Sequence, residues 1–318
     1  MRNTMGFEKV KLSHEDVHVS LNYLLTNAFV STKNYTLTSA NALLIDKRFK
    51  VLTEYKNKIE DSFQAKVEDV DFSKEASKAE QLINNWVNSK TNGKIPRLVE
   101  KLHPDTVVAL FNAVYFKGLW KTQFDKQNTK EAKFYNYGVE SKAKLVPTMH
   151  INMEISYALF PDCKIVELPY QFNNFSMIIL LNKKDNKLED IEKNLTVQKI
   201  AEIRKKLSPT ELEISLPKLR LESSIDLKQH LESVGLQHIF KETDFSGMTE
   251  NSDVVVTKVN HKALVEVNEE GTEAAAATGG ELRPIIAKQS FKVNHPFLFA
   301  IIHTKSDALL FIGRVMSM

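Results

Sequence analysis

The sequence predicts an α+β chain with large mixed sheets, and three observations predict it. Helical periodicity marks residues 8–27 and 73–89. The second half is dominated by strand-length runs rich in β-branched and aromatic residues. The two kinds of element are interspersed without the regular βαβ period of a doubly wound fold.

Taken in order, residues 8–27 form a helix because Val17, Leu21, Leu24 and Leu25 recur at helical spacing. Ser13, followed three positions on by Asp16, makes a capping-box-like start. From Ser73 to Ser89 the residues Ala79, Leu82, Ile83, Trp86 and Val87 share one face, and Asn92-Gly93 ends the stretch. The period then changes. Thr106 to Phe116 is nearly continuous in apolar residues and reads as a strand covered on both faces. Further strands are expected near 164–168, 175–182, 211–221, 253–267, 291–303 and 308–315. Helical patterns at about 187–205 and 225–236 separate some of them, the second starting after Ser223-Ser224 and closing near Gly235. No linker, repeat or long charge run appears, so one domain over 1–318 is the simplest organisation.

Composition narrows the class. The 318 residues are 42% hydrophobic and 26% charged, with ten Gly and nine Pro, which excludes collagenous, low-complexity and largely disordered chains. No apolar run approaches a membrane span, and no membrane partner is expected. Forty-three Lys and Arg against forty Asp and Glu give a net charge of +3, with no basic domain for nucleic acid. The single cysteine, Cys163, excludes an internal disulfide and any Cys-rich zinc or iron–sulfur site. A heparin-like polyanion is not expected either, because no Lys or Arg lies between Lys11 and Lys33 along the first helix.

Catalytic motifs are sparse. His14-Glu15-Asp16-Val17-His18 fits the H-E-x-x-H pattern of zinc hydrolases. It falls on the first turn after the Ser13 cap, lacks a third ligand, and has Leu21 where the extended motif wants Gly. A polar helix start accounts for it better, and a zinc hydrolase through His14 and His18 stays a remote alternative. No G-x-S-x-G elbow, Walker loop or dinucleotide fingerprint is present, so no metal or cofactor is expected.

The segment from Glu269 to Ile286 is different. By propensity its four consecutive Ala suggest a short helix or a flexible loop. With a period of two, Thr272, Ala274, Ala276 and Thr278 share one face, all small and uncharged, and Glu273 lies on the other. A segment that must slip between two strands over a packed core needs that distribution. Gly271 supplies backbone freedom where the chain would pivot.

The stretch Glu266 to Thr278 resembles the hinge of inhibitory serpins, and matches continue through the chain in order. They are Phe111 to Trp120 with Phe124, Val146-Pro147 with Met149, Glu167 to Tyr170, Leu216 to Lys218, Asp244 to Met248, His261 to Ala263, Asn294 to Phe297 and Phe311 to Val315. The resemblance implies a serpin fold of three β-sheets, surrounding helices and an exposed reactive-centre loop at about 268–290. It also implies that the family's first helices, some fifty or more residues, precede the match at Met1. Without them, residues 1–318 alone are expected to fold poorly or to settle in a relaxed state, the inhibitor being the longer product.

The implied function is suicide inhibition of a serine protease, with no catalytic group from the inhibitor. The protease acylates on the loop, the freed loop inserts into the main sheet, and the tethered enzyme is distorted in a covalent complex. The hinge is Glu270, Gly271, Thr272, Glu273, Ala274, Ala275, Ala276, Ala277 and Thr278. Counting forward from Gly271 and back from Pro296, as the family does, places the reactive bond at Ile285–Ile286. A β-branched apolar residue there suits an elastase-like or subtilisin-like pocket. Arg283 is the competing position, but Pro284 follows it. Asn112, Trp120 and His261 fall where the family has its breach and shutter, the places where the sheet must part. The resemblance further implies a monomer, when complete, and secretion, with the signal taken to be lost with the missing N-terminus; the cytoplasm is the alternative. A non-inhibitory serpin and an inactive truncated isoform are the competing readings of function.

Overall fold

Alternation and capping lay down the elements in chain order. A computed structural model describes residues 2–29, 31–32, 34–183, 188–241, 244–251, 254–270 and 289–318. Helix α1 (His14–Asn27) starts later than the periodicity suggests, because Ser13 and Asp16 exchange both hydrogen bonds of a capping box. There follow β1 (Tyr35–Asp46), α2 (Thr53–Phe63), β2 (Ala65–Val70), α3 (Phe72–Lys90) and β3 (Val108–Gly118). Asp71 caps α3, and Asn92 and Gly93 turn the chain out of it with positive φ.

The chain continues through β4 (Lys130–Tyr135), β5 (Ala143–Leu159), β6 (Cys163–Pro169) and β7 (Phe175–Asn182). The helical pattern at 187–205 is two helices, α4 (Leu188–Lys193) and α5 (Val197–Lys206), because Thr196 caps the second afresh. The strand expected at 211–221 is likewise two, β8 (Ser208–Pro217) and β9 (Leu219–Asp226), divided at Lys218. Ser223 and Ser224 belong to β9, so α6 (Lys228–Leu231) is shorter than expected and unwinds through Gly235 at φ 94°. The last strands are β10 (Val256–Val267), β11 (Gln289–Lys292), β12 (Phe297–His303) and β13 (Ala308–Val315). No described helix is long and apolar enough to cross a membrane.

Two compact units result. The first, residues 1–117 and 220–266, is built on a five-stranded sheet of order β2-β1-β3-β10-β9. Helix α3 lays Phe72, Ala79, Ile83 and Val87 over the small side chains Ala40, Ala42, Ala109 and Ala113, which let helix and sheet approach closely. β3 is fully covered on that face only: Leu110, Asn112 and Val114 on the other are half-buried. β10 pairs directly with β3, in parallel, through ten register pairs from Val256↔Val108 to Glu266↔Lys117.

The second unit, residues 118–219 and 267–318, holds an eight-stranded network of order β11-β8-β5-β6-β7-β12-β13, with β4 on β5. Three sheets are expected of the chain, and the described strands make two hydrogen-bonded networks. The reason is β5, whose 17 residues pair with β4 at one end and with β6 at the other, joining two sheets through one strand. Gly313 passes so close to the Phe299 ring that a Cβ there would clash. Cys163 is buried among Ile165, Ile178 and Leu180. Burial, and then the Asp162 carboxylate, push its thiol up to about 12.

Candidate functional site

The candidate functional residues are described unit by unit: the five-stranded sheet of the first unit, and in the second the residues that flank the segment 271–288. In the first unit, parallel pairing sets His261 opposite Asn112. The His261 Nδ1 donates to Asn112 Oδ1 at 2.7 Å, and the Asn112 amide donates to Asn41 Oδ1 at 2.7 Å. This relay ties β10 to β3 and β3 to β1 on one face of the sheet. Burial holds the His261 imidazole below its ordinary pKa, so it is neutral near pH 7.

At the C-terminal end of β10 stands Glu266, mostly buried. It accepts from Lys94 at 3.2 Å, Arg220 at 2.6 Å and the Tyr115 hydroxyl at 3.1 Å. Burial pushes its carboxyl up, but the Lys94 and Tyr115 hydrogen bonds and the two cations outweigh that and hold it below the usual carboxylate range. The Tyr115 hydroxyl is driven up by its own burial and then by Glu266.

In the second unit the three residues before Gly271 are each held. The Trp120 indole donates to the Asn268 carbonyl at 2.9 Å and stacks on Tyr170, with centroids 4.4 Å apart and planes within 9°. Phe124 meets Trp120 edge-on at 6.3 Å. The Glu269 side chain is only 5% exposed and accepts from Lys218 at 2.9 Å and Thr129 at 2.7 Å. Burial raises its carboxyl, and these partners lower it further than burial lifts it. Glu270 donates its N–H to Asn268 Oδ1 and pairs with Lys126 at 3.1 Å. On the far side of the segment, β11 begins at Gln289 and runs parallel to β8.

Of the expected site residues, Asn112 and His261 come together, and Trp120 holds the residue two before the hinge. Glu270 is the one described member of the hinge; Gly271 to Thr278, Ile285 and Ile286 lie outside the described residues. Glu266 and Glu269 fell inside the stretch that resembles the hinge without being given a role, and the sequence did not link them to their cationic partners, although Leu216 to Lys218 stood out as a motif. Three acids just ahead of a pivot, Glu266, Glu269 and Glu270, were the available signal, since each needs a counter-charge once buried. His14 is exposed, and His18 turns its ring edge to Phe63 at 5.4 Å. The described residues hold no cluster of three or more metal-ligating side chains.

The comparisons with known proteins converge. The family model described as "Serpin (serine protease inhibitor)" matches residues 1–318. Intracellular coagulation inhibitor 1 of Tachypleus tridentatus is 40% identical over 301 residues, spanning 92% of this chain and 71% of that protein. A leukocyte elastase inhibitor of Xenopus tropicalis is 36% identical over 325 residues, spanning 98% of this chain and 85% of the relative. The crystal structure of uncleaved ovalbumin superposes with a TM-score of 0.86 at 28% identity, covering 95% of this chain and 79% of that one. Matched end to end by the family model and sharing its architecture, the chain belongs to the serpin family of serine protease inhibitors.

Proposed function

We propose that this serpin inhibits a serine protease by presenting Ile285–Ile286 as a substrate bond and trapping the acyl-enzyme as the cleaved segment enters the five-stranded sheet. The observation that carries this is the direct parallel pairing of β3 with β10. The segment leaves β10 at its C-terminal end. Turned back through the hinge, it would run antiparallel to β10 and therefore antiparallel to β3 as well. Insertion would replace one parallel ladder with two antiparallel ones, which are somewhat stronger per residue. The net gain is about one ladder, roughly ten hydrogen bonds at about 1 kcal/mol net each. That free energy drags the tethered protease before water can release it, so the intact state is held kinetically. Small residues at Thr272, Ala274, Ala276 and Thr278 support passage over a packed core, and favour inhibition over the non-inhibitory alternative.

In this proposal residues 1–318 belong to one serpin domain, and the complex with the protease is covalent. Two independent counts place the bond at Ile285, and its side chain suits an elastase-like or subtilisin-like pocket; the leukocyte elastase inhibitor among the relatives supports that target class. Secretion finds no support among the relatives, whereas the intracellular coagulation inhibitor supports the cytoplasmic alternative. The test is mass spectrometry of SDS-resistant species after mixing the protein with elastase-like and subtilisin-like proteases. A covalent complex carrying residues up to Ile285 is expected. Cleavage without a complex, or a complex at Arg283, overturns the mechanism or the bond respectively.

A further inference from the structure

The C-terminal root of the reactive loop carries a feature that the trapping mechanism does not use. The Gln289 amide donates to the Tyr157 hydroxyl at 3.3 Å. Beside this pair lies a cavity of about 480 Å³ walled by Tyr157, Leu159, Phe160, Lys206, Thr210 and Gln289. Thr210 is two positions before Leu212, the register partner of Gln289, so the cavity flanks the start of the β8–β11 ladder. Leu159, at the end of β5, is 57% exposed. Lys206, at the end of α5, is exposed, with its ammonium 5.4 Å from the centre of the Phe160 ring. It makes no ion pair among the described residues. A cation with no ion pair among the described residues and a largely exposed aliphatic side chain thus stand together at one rim.

Distance ties that rim to the bait bond. Ile286 precedes Gln289 by three residues, and three trans peptides span at most about 11 Å. A stable protein partner covers roughly 800 Å² per side, far more than one peptide bond. A protease closing on Ile285–Ile286 therefore overhangs the ground around Gln289.

We propose that this cavity is an exosite for the target protease, one that receives an acidic side chain on Lys206 and its apolar neighbour over Leu159 and Phe160. The proposal rests on the bond assignment made above. Its partner is a serine protease whose leaving-group-side rim bears a carboxylate beside an apolar residue. The charge acts mainly on encounter, and the apolar contact slows escape before acylation. None of the six residues lies on β3, β10 or the hinge, so the insertion step is untouched. The exosite changes how fast the loop is taken, and leaves unchanged how the enzyme is partitioned afterwards.

The test measures the second-order rate of loop consumption (cleavage plus complex) by the intact chain, against a panel of elastase-like and subtilisin-like proteases at low and physiological salt. Lys206→Glu should slow at least one of them about tenfold at low salt, and the deficit should shrink as salt rises. Lys206→Arg should keep the wild-type rate, and the uncharged Leu159→Ser should slow it independently. Stoichiometry of inhibition and melting temperature should stay at wild-type values, which separates an exosite from a folding defect. If every protease that attacks the loop treats Lys206→Glu and Leu159→Ser within twofold of wild type, the exosite is overturned while inhibition stands. Cleavage at Ile285–Ile286 without an SDS-stable complex overturns inhibition but leaves the rate comparison valid. Attack at another bond, or none, overturns both.

Discussion

Trp120 shows how much one side chain can hold just ahead of residue 271, because its ring and its N–H serve different partners. Trp120→Ala removes the Tyr170 stack and the bond to Asn268, and should destabilise the intact protein by about 3–5 kcal/mol. Trp120→Phe keeps a ring for the stack and gives up the hydrogen bond, for a loss of about 1 kcal/mol. Thermal midpoints of the two variants check the order. Specificity is argued at the same scale. Ile285→Arg should move inhibition toward trypsin-like enzymes, and Arg283→Ala should change little, as read from rates against both protease classes. Ala276→Glu should leave the loop cleavable but turn inhibitor into substrate, since an unpaired carboxylate would be buried on insertion at a cost of several kcal/mol; wild-type stoichiometry in this variant would sink the inward-facing assignment. The alternation of Thr272, Ala274, Ala276 and Thr278 can be read from the sequence alone, because a period of two needs only neighbours to be seen, whereas Ile285 and Trp120 were reached through the resemblance. The partners of Glu266 and Glu269 were not legible, since Lys94, Thr129 and Lys218 reach them only through the fold.

Between elements, the proposed insertion would part the sheet at the seam between β3 and β10, and the His261–Asn112–Asn41 relay is a polar tie across it. Asn112→Ala leaves His261 half-buried without its acceptor, a loss of about 1–3 kcal/mol. The variant should also open faster, so incubation near its melting point should produce loop-inserted or polymerised species sooner than in wild type, as followed by native gels. The same strand illustrates what the sequence could say. β3 and β10 were found from their apolar runs, and α3 from its face and its Asn92-Gly93 stop. β1 escaped notice because Thr36, Thr38, Ser39 and Asn41 interrupt its pattern. β4 was hidden by its lysines. β5 carries Pro147, His150, Asn152 and Glu154, which break its apolar pattern and disguise one long strand. A strand that serves two sheets has no single solvent face, and the alternation rule loses its footing there.

For the whole molecule, the proposed insertion makes cleavage a stabilising event. Protein nicked at Ile285–Ile286 should melt well above the intact form, in line with about 10 kcal/mol of added ladder; calorimetry before and after nicking reads it directly, and equal midpoints would count against insertion. Acid should act in the opposite direction on the intact form. His261 has its folded pKa below the ordinary 6.5, so the unfolded chain takes up protons first and stability begins to fall as pH drops past about 6.5. Glu266 and Glu269 are also held below their ordinary 4.5. Their contribution is present above that value and is lost as pH falls through their folded values. Melting temperature should therefore decline in two stages, with Glu269→Gln flattening the lower one.

The buried Cys163 thiol has a practical consequence for watching the protein work. As the chain's only thiol, buried and held largely protonated, it should react with maleimides only slowly at neutral pH. A cysteine introduced in the segment between Thr278 and Ile285 would then be the preferred labelling position, with no native residue removed to make it so. A fluorophore there, with a quencher-bearing protease, would time the loop's journey in a stopped-flow cell, turning an endpoint seen on gels into a measured trajectory.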